Sequence, residues 1–101
     1  MKEERDRFLT EAMGACWHDF DPNRPVMTYS LIGYVCTKCS NFILGNNDFT
    51  SAEDFERLWN WASGKPGLAD ALMCHGKTAS DLGTAEARDR AADELYQIIN
   101  A

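Results

Sequence analysis

Two short groups of residues carry metal-type chemistry. Cys16-Trp17-His18 offers a thiolate and an imidazole, and Cys36-Thr37-Lys38-Cys39 offers two thiolates. Two residues between cysteines is the spacing of a tight knuckle that turns both sulfurs toward one tetrahedral ion. In an extended backbone residues i and i+2 point to the same side, so Cys16 and His18 can face that ion together while Trp17 points into a core beneath it. Four protein donors leave no coordination position for water or substrate. The expected cofactor is therefore a structural Zn2+ held by Cys16, His18, Cys36 and Cys39.

The competing reading makes the cysteines small buried hydrophobes. A variant ligand set uses Cys74, from the adjacent pair Cys74-His75, giving Cys16, Cys36, Cys39 and Cys74. Knuckles also commonly carry glycine after the second cysteine, where a positive φ is needed, and here that residue is Ser40.

The elements that must position these donors are legible around them. Thr28 to Val35 is rich in β-branched and aromatic residues, and Asn41 to Leu44 follows the knuckle, which predicts strand, knuckle, strand: a β-hairpin whose turn is the knuckle. Glu3 to Met13 reads as a first helix ending at Gly14, with Phe8, Leu9, Ala12 and Met13 on a stripe expected to cover the hairpin. Residues 19–25 hold two prolines and predict an irregular loop, in which Asp19 and Asp21 are expected as solvated carboxylates, with a hydrogen bond to the non-liganding nitrogen of His18 as the alternative.

Thr50-Ser51-Ala52-Glu53-Asp54 is a double capping-box pattern, and Phe55, Leu58, Trp59 and Ala62 then recur at helical spacing. Trp61 falls at the margin of that stripe, which leaves two roles open: capped by the later helices, or exposed as an anchor for a partner. Pro66 is placed to start a short helix through Met73. Thr84 caps a last one, with Ala87, Ala91, Leu95, Ile98 and Ile99 inward and Asp89, Asp93, Glu94 and Gln97 toward water. The expected fold is α+β, a zinc-knuckle β-hairpin (small antiparallel sheet) packed against three to four helices, in one zinc-stabilised domain spanning 1–101.

Composition narrows the function. The 101 residues are 45 % apolar and 26 % charged, as in an ordinary folded domain. The charged start, Met1 to Arg7, leads into no apolar run of signal-peptide length, and no stretch is long enough to span a membrane, which predicts a cytoplasmic protein whose thiols stay reduced. The net charge of −6, with ten scattered basic residues, weighs against nucleic acid as a partner. A nucleic-acid-binding zinc knuckle remains as an alternative, with Tyr29, Tyr34, Lys38 and Phe42 as its stacking platform. No Ser/His/Asp set, phosphate loop or H-E-x-x-H pattern is present, and the residues around Cys36 are strand-like rather than the helix N-terminus a dithiol oxidoreductase requires; no enzyme is expected.

Glu11 to His18, Tyr34 to Cys39, Asn47-Asp48-Phe49 and Leu58-Trp59-Asn60-Trp61-Ala62 together resemble small proteins encoded by phages and prophages, in particular the phage ABA-sandwich group. The likeness lies in the order of motifs over residues 11–62 and in the style of the last helix; each motif alone is unspecific. It implies a small sheet with helices against it and a mobile-element origin in a bacterial host cell, but no activity. Ser40 and the extra Cys74-His75 depart from the pattern.

The expected function is a non-catalytic protein-interaction module, including the version in which an acidic phage-type protein inhibits a host defence complex by offering carboxylates to a basic channel. Trp61, Glu53, Asp54 and Glu56 are the candidate partner-binding residues, with Asp89, Asp93 and Glu94 as a second acidic face. The chain is expected as a monomer or small homo-oligomer.

Overall fold

The computed structural model describes residues 2–101; Met1, the first residue of the charged N-terminal run, lies outside them. The described residues form α1 (Lys2–Ala12), β1 (Val26–Thr28), β2 (Leu31–Val35), β3 (Phe42–Ile43), α2 (Ala52–Ser63), α3 (Pro66–Met73), a 3-10 turn (Ala79–Asp81) and α4 (Ala85–Ile99). The architecture is α+β, with four α-helices and an antiparallel sheet of order β1-β2-β3.

The helices start and stop where local chemistry requires. Ser51 is extended and its Oγ accepts a hydrogen bond from the Asp54 amide at 3.3 Å, capping α2. The expected double box does not close. Asp54 instead accepts from the Asp48 amide at 2.8 Å, and Thr50 Oγ1 donates to Asp48 Oδ1 at 2.6 Å, so both residues secure the preceding turn. Pro66 occupies the start of α3, where its missing N–H costs nothing, and the Thr84 hydroxyl accepts from the Ala87 amide at 3.1 Å to cap α4. After α1, Gly14 adopts φ +82, and the Ala15 amide reaches back to the Thr10 carbonyl at 3.1 Å.

Phe55, Leu58, Trp59 and Ala62 are buried as their spacing requires, against Leu9 of α1, Leu68 and Leu72 of α3, and Ala91, Ala92 and Leu95 of α4. Phe49, just ahead of the α2 cap, and Leu82, just after the 3-10 turn, complete this core. The stripe of α1 joins it too: Phe8 packs edge-on against Tyr96, with ring centroids 5.1 Å apart, and so faces α4 rather than covering the hairpin.

A buried cation ties α1 to α4. Arg5 is 2 % exposed; its Nε donates to Asp6 Oδ1 at 3.0 Å, and its Nη1 to Asp89 Oδ1 at 2.7 Å and Asp93 Oδ1 at 2.8 Å. Burial alone would disfavour the guanidinium charge, but these carboxylates outweigh it and raise the Arg5 pKa. Asp89 and Asp93 therefore do not simply face water, as the helical wheel suggests; they hold the arginine.

The sheet stands apart from that body. The stretch from Thr28 to Val35 is not one strand: Tyr29 and Ser30, at φ +51 and +69, reverse the chain in two residues and pair Thr28 with Leu31 and Val26 with Gly33. Positive φ at both central positions matches the right-handed twist of the flanking strands. β2 then pairs with β3, Tyr34 opposite Ile43 and Val35 opposite Phe42. Gly33 is required here, since a Cβ would sit 2.4 Å from the Ile43 carbonyl oxygen and 2.6 Å from the Phe42 ring. The molecule measures 42 × 27 × 24 Å, and its radius of gyration, 14.7 Å, exceeds the roughly 13 Å of a compact 100-residue domain.

Candidate metal centre

Cys16 and His18 lie in the extended segment just beyond α1, and the Trp17 side chain between them is buried, as i, i+2 alternation dictates. The second pair comes from the knuckle between β2 and β3. There the Cys36 amide donates to the Asn41 carbonyl at 3.0 Å and the Ser40 amide to the Cys36 carbonyl at 2.9 Å, closing a tight turn. The amides of Lys38 and Cys39 point at Cys36 Sγ from 3.4 and 3.5 Å. Ser40 adopts φ +64, the left-handed conformation for which glycine is the usual residue; the backbone keeps the knuckle geometry although the side chain disfavours it.

The ligand atoms of Cys16, His18, Cys36 and Cys39 all lie within 4.8 Å of one another. Cys16 Sγ is 3.8 Å from Cys36 Sγ, and Cys39 Sγ is 3.5 Å from His18 Nδ1. An ion bound tetrahedrally at about 2.3 Å by sulfur and about 2.0–2.1 Å by nitrogen has edges of about 3.8 Å between sulfurs and about 3.5–3.6 Å between sulfur and nitrogen. The cysteines are unbonded, the sulfurs lying far outside the roughly 2.05 Å of a disulfide. These four residues can therefore hold a metal ion, with every tetrahedral position filled by protein.

The electrostatics of the group differ between its sulfurs. Burial pushes the Cys36 thiol up, but the amides of Cys39 and Lys38 and the His18 ring outweigh it and bring its pKa down to about 5. Burial and the neighbouring thiols push Cys16 up to about 11. The two thiols are thus pushed in opposite directions, with Cys36 the one whose surroundings favour the thiolate.

Two contacts missed by sequence reasoning join the halves of the site. Asn46 clamps the His18 backbone, its Oδ1 accepting from the His18 amide at 2.7 Å and its Nδ2 donating to the His18 carbonyl at 2.9 Å. The Thr37 amide donates to the Asp19 carbonyl at 2.8 Å. Asp19 and Asp21 do not serve the His18 ring: Asp19 Oδ2 lies 3.4 Å from Lys38 Nζ, and Asp21 Oδ2 lies 3.6 Å from Arg24 Nε.

The variant ligand set is overturned. Cys74 is exposed, with its sulfur 3.7 Å from the Asp70 carbonyl, and His75 Nε2 lies 2.5 Å from Glu94 Oε2; neither joins the cluster. The acidic faces are also thinner than the sequence suggests. Glu53 and Glu56 are exposed on α2, but Asp54 is paired with Arg57, Asp89 and Asp93 with Arg5, and Glu94 with His75. Trp61 is half-buried against the helical core, with Lys65 Nζ 5.7 Å from its ring centroid.

The four residues of the expected stacking platform have separate surroundings. Tyr34 stacks on Phe20 at 4.5 Å, Phe42 lies over Gly33, Lys38 is held by Asp19 and the Trp17 carbonyl, and Tyr29 stands alone at the hairpin tip.

Fold and site together define an α+β protein with a closed Cys3His group able to hold a metal ion. Among the described residues no helix is long and apolar enough to cross a membrane. Comparison with protein-family models, with curated proteins and with solved structures gives no match.

Proposed function

We propose that Cys16, His18, Cys36 and Cys39 bind zinc as a permanent structural ion, and that the chain is a non-catalytic protein-interaction module of the small acidic phage type. The observation that carries this reading is the pair of edges, 3.8 Å between Cys16 and Cys36 and 3.5 Å between Cys39 and His18, which suits zinc bond lengths. Three thiolates and an imidazole also select a soft or borderline ion over a hard one such as calcium or magnesium. A closed coordination sphere gives the ion a scaffolding role, so binding falls to the surface.

On α2 that surface comprises Glu53 and Glu56 with the exposed edge of Trp61, and its target is another protein, including a basic host complex that handles nucleic acid. Metal analysis of the purified protein is expected to find one zinc per chain. Affinity capture from host-cell extract with wild type and Trp61→Ala is expected to lose a specific protein in the variant while zinc content and folding persist. Zinc-free protein would sink the metal reading. Retention on heparin with a steep salt dependence would sink the protein-directed one.

A further inference from the structure

We infer that the β1–β2 hairpin is a self-association surface, on which a second copy of this chain docks edge to edge through β1 to form a twofold dimer. Toward its tip the hairpin is apolar and open on both faces, although Phe42 covers Gly33 and Phe20 covers Tyr34 farther along β2. Met27 is 72 % exposed and Ile32 64 % on one face, Leu31 51 % on the other, and Tyr29 96 % at the tip. Val26, at the start of β1, is a further 37 % exposed, so the apolar side chains that flank the β1 edge lie open on either side of it.

Charge selects the occupant. The chain carries −6, so copies repel over most of their surface, yet residues 25–37 contain no charged side chain. This is where two copies can meet without setting carboxylate against carboxylate. Among the described residues β1 pairs only with β2, so its outer edge is open; it is short, three residues, but Val26-Met27-Thr28 carries no inward charge, bulge or internal proline to block pairing. A twofold axis at Met27 pairs β1 antiparallel with its copy and yields one six-stranded sheet, with Met27 and Ile32 of both copies in a single stripe. In that register Tyr29 falls opposite Pro25 of the second copy.

The turn supplies an independent sign. Tyr29 holds a left-handed backbone conformation that asparagine or glycine adopts at less cost, while its ring is almost wholly exposed. A strained position that keeps a large exposed aromatic fits an anchor, and tyrosine is enriched in interface cores.

The inference rests on a metal-ordered arm but not on any heterologous target, and sedimentation of the zinc-loaded chain tests it. A dimer is expected at about 100 µM, well above a micromolar dissociation constant. Met27→Glu/Ile32→Glu is expected to raise that constant at least about 100-fold, as for loss of a central apolar cluster, with zinc content and helicity unchanged. Met73→Glu, equally exposed but on α3, is expected to leave the dimer intact. Tyr29→Asn relaxes the turn and yet is expected to weaken association. A zinc-loaded wild-type monomer at this concentration overturns the inference, as does a dimer insensitive to the double substitution, or a monomer that binds phosphatidylcholine vesicles. A zinc-free monomer overturns the metal reading as well.

Discussion

The helical body and the β-arm achieve order by different means. In the body, α1 to α4 bury a continuous set of leucine, phenylalanine and alanine side chains, and Leu9, Phe55, Leu58, Ala92 and Leu95 are fully enclosed. In the arm, Trp17, Cys36 and Ile43 are buried, but Met27, Leu31 and Ile32 lie open. Apolar burial at about 25 cal/mol per Å² suffices for the first and not for the second, where under the proposed function an ion shared by two segments takes the place of a core.

The largest expected effect separates the two. Removing the metal with a chelator, or replacing Cys36 with alanine, is expected to leave residues 16–44 largely unfolded or molten while the helices persist, because structural zinc contributes about 10–16 kcal/mol apparent. Amide hydrogen exchange read residue by residue checks this. Uniform loss of protection would show one cooperative unit and dissolve the contrast.

Striking the body alone is the converse. Arg5→Met leaves three carboxylates without their cation and is expected to cost about 3–5 kcal/mol in chemical denaturation, with zinc content unchanged. Zinc loss in the folded variant would reveal coupling between the regions.

Acid should also act on the body through Asp89. The Arg5 hydrogen bond outweighs partial burial and holds this carboxyl below its usual value. A carboxyl depressed on folding stabilises above its unfolded pKa of about 3.9, and the contribution is lost as pH falls through the lower folded value. Asp6 has the opposite sign: burial outweighs Arg5 and raises its pKa, so its ionisation opposes folding as pH rises. In Asp89→Asn the part of acid unfolding below about pH 4 should flatten. An unchanged profile would remove Asp89 from the account.

The smallest effect returns to the arm. Ser40→Gly relieves a left-handed residue and is expected to strengthen the knuckle by about 0.5–1 kcal/mol, seen as slower zinc transfer to a chelator with no change in helix unfolding. Faster transfer would mean that the Ser40 side chain supports the site.

How much of this was readable in the sequence depends on the range of the interactions. The clustering of Cys16, His18, Cys36 and Cys39 was, because C-x-H and C-x-x-C carry their geometry in local spacing, and so was α2, whose cap and stripe are contiguous. The Tyr29-Ser30 reversal was hidden by side chains typical of a strand, with neither asparagine nor glycine to mark it. Asn46 carries no motif or periodicity, although its side chain holds the His18 backbone. Phe49 and Leu82 sat among turn-formers without periodicity, and Arg5 finds two of its carboxylates 84 and 88 residues away, a separation no local pattern encodes.

That separation also sets an order of events during synthesis. All four metal ligands have been made by Cys39, whereas the clasp on Arg5 cannot close until α4 emerges with Asp89 and Asp93. On the proposed metal reading, the arm would be able to capture its ion on the ribosome while α1 still waits for its partner helix, and metal supply would act on the nascent chain before the body exists.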